Sequence, residues 1–326
     1  MELGMCMASL LDRPWEAALD ATLELGVRQV EAMGGGHVPY RHLDPKAVVA
    51  DAGARRRLTA PVQDRGMTIA ALGCYGNFLD PDPGARRAAL DDLRAAIRAA
   101  AELGIGVVTS NAGCPGGAPG DTTPNWIVHS LFPKRWDDAY RWQWEECVLP
   151  TWLEIARLAA EHEVVVCLEP MAGDVVYNLA TFRRLREHAG ESILCHVDPS
   201  HLWWQGIDIV EFILALDGAI GFAHAKDVTI DPRNLRTEGW LPSCAYDDWG
   251  GRSWSMRAIG NGHSEVFWRE YLIALRRGGY DGCVGIEFQE PYMTVPDGLR
   301  KSVEVLRAAM PTEPPPSGNW FEMYEP

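Results

Sequence analysis

Cys195-His196-Val197-Asp198-Pro199-Ser200-His201 follows an apolar run at 192–195 and reads as the end of a short buried strand turning into a loop. Asp198 and His201 sit at that end, three residues apart, and Pro199 stops the strand between them. A carboxylate and an imidazole at one strand end can share a mouth, which suits a divalent cation that takes oxygen and nitrogen donors together. A plainer reading competes: Asp198 caps the next helix and His201 packs beside it. The rest of the chain decides, because polar-tipped strands recur on both sides of this one.

Working outward, short apolar runs at 3–8, 27–33, 67–72, 105–110, 164–169, 193–198, 219–224 and 283–287 read as strands. Between them, 14–25, 45–65, 84–103, 139–162, 180–188, 209–216, 264–277 and 296–309 carry helical patterns. Pro14 suits a first helical turn, and Gly26, Gly66, Gly104 and Gly278-Gly279 suit helix ends. Pro150 interrupts the 139–162 helix and is expected to kink it. Strands alternating with helices imply parallel pairing with both faces covered. Eight such units match a closed (β/α)8 TIM barrel, a single domain over 1–309 with long loops after strand 4 (118–138) and strand 7 (225–262). A Pro-rich tail at 310–326 is expected to be extended. The rival fold is a doubly wound sheet, but Cys6-Met7-Ala8-Ser9 is not the glycine-rich loop that a dinucleotide site places after its first strand.

Composition narrows the function classes. A net charge of −15 argues against nucleic acid or an anionic membrane as the main partner. The eight cysteines include no CxxC pair and mostly lie in apolar runs, so buried free thiols in a reducing compartment are expected. The N-terminus lacks the basic-then-apolar plan of a signal peptide, and no apolar run approaches a membrane span. These features lead to the expectation of a soluble, cytoplasmic protein.

In a barrel of this kind the chemistry sits at the C-terminal strand ends. Strand 5 ends in Glu169, strand 6 in Asp198, strand 7 in His224 and strand 8 in Glu287. Each follows a run that should be buried, so each polar group must be paired or ligated. Three carboxylates and one imidazole form a suitable first shell for Mn²⁺, Mg²⁺ or Co²⁺. A structural Zn²⁺ would more often recruit thiolates.

Leu168-Glu169-Pro170, His196-Val197-Asp198-Pro199-Ser200-His201, His224-Ala225-Lys226-Asp227 and Gly285-Ile286-Glu287, in this order, resemble the xylose isomerase-like barrel superfamily, best over 142–306. That group includes sugar isomerases and epimerases, inosose dehydratases and apurinic endonucleases. The resemblance implies that Glu169, Asp198, His224 and Glu287 bind a divalent metal, Mn²⁺ foremost, and that His201 contacts substrate. The related ketose 3-epimerases carry a substrate-binding Arg shortly after the strand-7 His. Residues 226–231 hold none, leaving Arg233, Arg252 or Arg257 as replacements from the insertion.

The chemistry expected is proton abstraction beside a carbonyl through an enediolate, with Glu169 and Glu287 as base and acid on opposite sides of the sugar. His201 holds a substrate hydroxyl. Lys226 either does the same or pairs with Asp227, and pairing is the simpler expectation. His37 and Glu31 at the end of strand 2 reach the same mouth. His37, Arg257 and His263 complete the candidate substrate contacts, although His263 would also serve as a helix cap, and His129 is a further candidate base. The same enolisation supports elimination, by which a 3-keto C-glycoside is cleaved. The large subunits of C-glycoside deglycosidases resemble this chain, and they work with a small second subunit. A non-catalytic, metal-stabilised sugar-binding protein is the third reading. Oligomerisation is expected, and the 13 Trp residues suit core packing, subunit contacts, or stacking on a sugar or flat aglycone.

Overall fold

The computed structural model describes residues 1–128, 134–245 and 247–311; His129, Phe132 and the tail beyond Pro311 lie outside the described residues. Ten strands are formed: β1 (Glu2–Cys6), β2 (Gln29–Gly36), β3 (Thr68–Tyr75), β4 (Val107–Ser110), β5 (Val165–Leu168), β6 (Ile193–Val197), β7 (Ile220–Ala225), β8 (Asp227–Ile230), β9 (Trp254–Arg257) and β10 (Cys283–Ile286). Eight of them close into a parallel barrel in chain order, β10 pairing with both β7 and β1, while β8 and β9 form a separate antiparallel pair. This is the TIM barrel expected from the sequence. The apolar runs are continuous because barrel strands are covered on both faces: β10 is buried at every position and β7 at all but Gly221.

The helices follow their capping signals. Asp82 caps the helix Pro83–Leu103 through Ala85 N–H, and Gly104 ends it in the left-handed region. Leu93, Ala96, Ile97 and Ala100 form its buried stripe. Trp152 and Trp268, on the helices Leu149–Glu161 and Glu265–Arg277, are fully buried. All eight cysteines are free thiols, as expected, with only Cys244 exposed and Cys147 half-buried. Among the described residues, no helix is long and apolar enough to cross a membrane.

Three local departures have physical causes. The expected 45–65 helix is two, Pro45–Ala50 and Ala52–Asp64, because Asp51 turns extended and caps Gly53 and Ala54 N–H. The expected kink at Pro150 is absorbed by a wide π-helical turn, Gln143–Val148, placed just ahead of the proline, which then sits harmlessly in the first turn of the next helix. Strand 2 runs to Gly36 rather than Met33, because its glycines admit close neighbours. Gly36 has φ +64°, and a Cβ there would lie 2.1 Å from Tyr75 O. The second insertion is not wholly irregular; the β8–β9 hairpin rises from it directly after β7, carrying the helix Pro232–Glu238 at its tip.

The loop after β2 is tied to the barrel by Asp92. This buried carboxylate accepts from Gly36 N–H (2.8 Å) and Tyr40 Oη (2.6 Å) and pairs with Lys46 Nζ (2.5 Å). Burial opposes ionisation, but Lys46, Tyr40 and Gly36 outweigh it and hold Asp92 below the usual carboxylate range. A carboxyl lowered in the folded state adds stability above its unfolded value and loses it as pH falls through its folded value. Asp92→Asn is therefore expected to cost about 1–3 kcal/mol at neutral pH, with the difference from wild type shrinking in acid. Urea unfolding at pH 7 and below pH 4 checks this, and a pH-independent difference would contradict it.

Candidate active site

The strand ends place their polar residues in a common cavity of about 540 Å³ at the C-terminal mouth of the barrel. Glu169 N–H donates to Ser110 O (2.8 Å) and Glu287 N–H to Ala225 O (3.1 Å), so both residues continue the sheet ladder one step past β5 and β10. His224 lies on β7 opposite Gly285, where a Cβ would approach its ring to 3.0 Å. Tyr271 Oη, rising from the helix Glu265–Arg277, donates to His224 O (2.6 Å) and fixes that strand end. Asp198 serves both functions that its sequence position allows. Its Oδ1 accepts from Ser200 N–H (2.8 Å) and caps the short helix Pro199–Trp203, while its Oδ2 lies 2.9 Å from Lys226 Nζ.

One donor atom from each of Glu169, Asp198, His224 and Glu287 lies within 4.8 Å of the others. Glu169 Oε1, Asp198 Oδ2 and His224 Nδ1 are buried and make no hydrogen bond within the structure. Their ion-pair contacts are Lys226 Nζ at 2.9 Å and His201 Nε2 at 3.9 Å for Oδ2, Glu287 Oε2 at 3.2 Å for Nδ1, and His201 Nε2 at 3.4 Å for Glu169 Oε1. Three carboxylates and one imidazole converge, with two of the oxygens and the nitrogen free of hydrogen bonds and Glu287 accepting from Lys226, and this donor set fits a divalent cation.

Lys226 is the local counter-charge. Its ammonium is buried, 2.8 Å from Glu287 Oε2, 2.9 Å from Asp198 Oδ2 and 3.0 Å from His201 Nε2. It does not pair with Asp227, which corrects the simpler expectation. Asp227 instead accepts from Val228, Gly260, Gly262 and His263 N–H and from His263 Nδ1, tying the root of the hairpin together. The electrostatics follow from this crowding. Burial lowers the Lys226 ammonium, but Asp198, Glu287 and Glu169 hold it well above its usual range. Burial raises Glu169 well above the usual carboxylate range, with Asp198 and Glu287 reinforcing it and Lys226 opposing. Burial also acts to raise Glu287, but Lys226 and His224 prevail and bring it down to about 2. Burial and then Lys226 lower His201 to about 4, leaving it neutral.

Beneath the cluster lies a layer that corrects one expectation: Glu31, expected at the end of strand 2 and in the mouth, sits lower. Glu31, at the third position of β2, is buried with Oε2 2.7 Å from His224 Nε2 and accepts a hydrogen bond on Oε1 from Thr109. It occupies the far nitrogen of His224 and leaves Nδ1 facing the carboxylates. The only signal was a lone acidic residue inside an apolar strand. His196 braces the same ring edge-on at 4.1 Å and shares its Nδ1 with Tyr75 Oη at 2.9 Å.

The structure thus gathers Glu169, Asp198, His201, His224, Lys226 and Glu287, and leaves three expected substrate contacts outside the cavity wall. His37 is exposed on the loop after β2. Arg257 pairs with the buried Glu290 through Nε (2.9 Å), and His263 is held by Asp227 and stacked on Trp203 at 3.9 Å. Of the arginines considered as replacements, Arg252 lines the cavity.

The family described as xylose isomerase-like TIM barrel matches residues 19–309. A protein of Bacillus subtilis (strain 168), named Uncharacterized protein YfiH, is 32% identical over 309 residues, covering 94% of this chain and 98% of its own length. Among solved structures, the E. coli 3-keto-D-glucoside 4-epimerase YcjR superposes with TM-score 0.65 at 16% identity, covering 94% of this chain and 99% of that one. The IolI protein with a bound zinc atom superposes with TM-score 0.63 at 14% identity, covering 95% and 99%.

Removing the ammonium tests the charge balance of the site. Lys226→Met leaves Asp198 and Glu287 buried without their counter-charge and is expected to cost about 3–5 kcal/mol in chelator-treated protein. Urea unfolding measures this, and an unchanged midpoint and slope would remove Lys226 from its balancing role.

Proposed function

The chain belongs to the xylose isomerase-like TIM barrel family, and from that premise we propose that it is a divalent-metal-dependent sugar isomerase or epimerase that moves a proton on the carbon next to a carbonyl. The observation that supports this best is geometric: one donor atom from each of Glu169, Asp198, His224 and Glu287 converges within 4.8 Å, and two of these carboxyls also differ in their surroundings. Glu287 is held at about 2 and Glu169 is raised well above the usual range. Two carboxyls whose surroundings push them apart divide naturally into base and acid.

In this reading the ionised Glu287 takes the proton from the sugar carbon. The C–H electron pair becomes the new carbon–carbon double bond, and the carbonyl electrons pass to oxygen, giving an enediolate. Glu169, on the other side of the sugar, relays a proton from solvent, to the opposite face of the same carbon for epimerisation or to the neighbouring carbon for isomerisation. Lys226 directs its ammonium at the developing negative charge, and neutral His201 exchanges a hydrogen bond with a sugar hydroxyl. A divalent ion held by Glu169, Asp198, His224 and Glu287 supplies Lewis-acid charge that polarises the carbonyl. Mn²⁺ is the first choice, with Mg²⁺ and Co²⁺ behind it; the zinc in the IolI structure is compatible with the same oxygen and nitrogen donors. Glu31 sets the direction of the His224 ring. The keto-glucoside epimerase activity in the name of YcjR accords with this chemistry.

Two measurements test the proposal. With Mn²⁺ supplied in D₂O, NMR is expected to show solvent deuterium entering next to the carbonyl of at least one member of a panel of ketoses and 3-keto glucosides. Glu287→Gln is expected to slow that exchange about 10²–10⁴-fold, and chelation to abolish it. No exchange anywhere in the panel, or full activity in Glu287→Gln, would overturn the proposal. Separately, Glu31→Gln is expected to weaken Mn²⁺ binding about 10–100-fold in a competition titration. Unaltered affinity would remove its orienting role.

A further inference from the structure

Tyr75, the last residue of β3, is the only hydroxyl-bearing side chain among the described residues that line the cavity. Its backbone is pinned. Tyr75 O accepts from His37 N–H (2.6 Å), and Gly36 lies so close that a Cβ there would sit 2.1 Å from the same oxygen. From this anchor the side chain crosses the barrel interior. Its Oη stands 2.9 Å from Nδ1 of His196 on β6, with β4 and β5 lying between those two strands in the sheet. Burial, then Glu169 and Glu31, hold the phenol well above its usual range, so its hydrogen stays on Oη.

His196 shows what this contact does. It is 0% exposed, it is not one of the four clustered donors, and its other nitrogen, Nε2, is buried without a hydrogen-bond partner. Phe222 and His224 meet its ring edge-on at 5.3 and 4.1 Å. A buried imidazole bonded to a phenol rather than to a carboxylate is neutral and carries one N–H. Two placements of that hydrogen compete. If Tyr75 donates to Nδ1, the imidazole hydrogen sits on Nε2, a buried donor with nothing to accept it. If Nδ1–H donates to Oη, Nε2 keeps only a bare lone pair. Buried donors are left orphaned more rarely than buried acceptors, so the second placement wins. It occupies a lone pair of the phenol oxygen and leaves the O–H to turn about the C–O bond into the cavity.

We propose that Tyr75 is a catalytic residue that donates a hydrogen bond to the substrate oxygen on which negative charge develops, and that His196 is the positioning residue that aims it. The proposal rests on the proton transfer proposed above and names a donor for its oxyanion. The hydrogen is shared and remains on Oη, so no proton changes hands at this position. A donor fixed before the reaction stabilises developing charge without reorganising. Lys226, the other donor, is divided among Asp198, Glu287 and His201.

The hydrogen placement is tested without substrate. ¹⁵N NMR of the histidine-labelled full chain, with Mg²⁺ present, reads which nitrogen of His196 carries the proton, and His196→Asn identifies the signal by its loss. A proton on Nδ1 alone is expected; a proton on Nε2 would overturn the proposal. Turnover is tested on whichever ketose or 3-keto glucoside exchanges its proton with D₂O. Tyr75→Phe is expected to lower kcat for that exchange about 10²–10³-fold, with KM little changed. His196→Leu is expected to lower kcat by a smaller factor, and His196→Asn, whose amide N–H can stand where Nδ1–H stood, to recover most of it. Equal losses in the two His196 variants would remove the aiming role. Should His196→Leu fold poorly, the NMR spectrum and Tyr75→Phe decide. Wild type that exchanges no sugar of the panel sinks the proton-transfer reading, whereas exchange by wild type with full kcat in Tyr75→Phe sinks only the role given to Tyr75.

Discussion

Buried negative charge is the constraint on which the mouth of this barrel depends. Glu31, Glu169, Asp198 and Glu287 are placed within or directly beneath one cavity, three of them almost wholly inaccessible. Their nearest cations are one ammonium, Lys226, and one imidazole, His224. Carboxylates this crowded do not all ionise without further positive charge, because desolvation and mutual repulsion act in the same direction. The protein meets this by leaving one carboxyl, Glu169, raised, by lowering another, Glu287, and by keeping oxygens without hydrogen bonds where a divalent ion fits. The crowding that makes the site costly to fold is also what drives the two carboxyls in opposite directions.

The scaffold fixes these groups at separate strand ends, so none depends on a long flexible loop. Glu169 and Glu287 extend the barrel ladder by one hydrogen bond each, and His224 is held by Tyr271 through its carbonyl and by Glu31 through its ring. Asp198 is anchored by the helix it caps. The clustered polar groups thus rest on strand ends, where barrels of this fold place their active sites.

Much of this was legible in the sequence because barrel strands are short and apolar, so a charged residue at a strand end stands out. That rule located Glu169, Asp198, His224 and Glu287. It gave less guidance about partners, which depend on where side chains point. Lys226 and Asp227 are neighbours in sequence, yet consecutive residues of an extended chain face opposite ways: Lys226 enters the cavity while Asp227 closes the root of the hairpin. Glu31 was indistinguishable from an ordinary strand-end acid until its hydrogen bond to His224 placed it below the site. The two readings of Asp198, cap and site residue, were not alternatives, since a carboxylate has two oxygens and each does one job. The hairpin went unread because its strands are four residues each and lie far apart in sequence, so no local turn announces their pairing.

That hairpin supplies part of the cavity lining. His263 and Arg257, which sequence reasoning assigned to substrate, brace the hairpin instead: His263 through Asp227 at its root, Arg257 through Glu290 beside β10. With those side chains committed to support, Trp254, Met256 and Arg252 line the cavity, the Trp254 ring stacked on Trp204 and covered by Arg252. Asp198 joins the two regions, because it caps the short helix that leads into Trp204 and turns its other oxygen towards Lys226 and the clustered carboxylates.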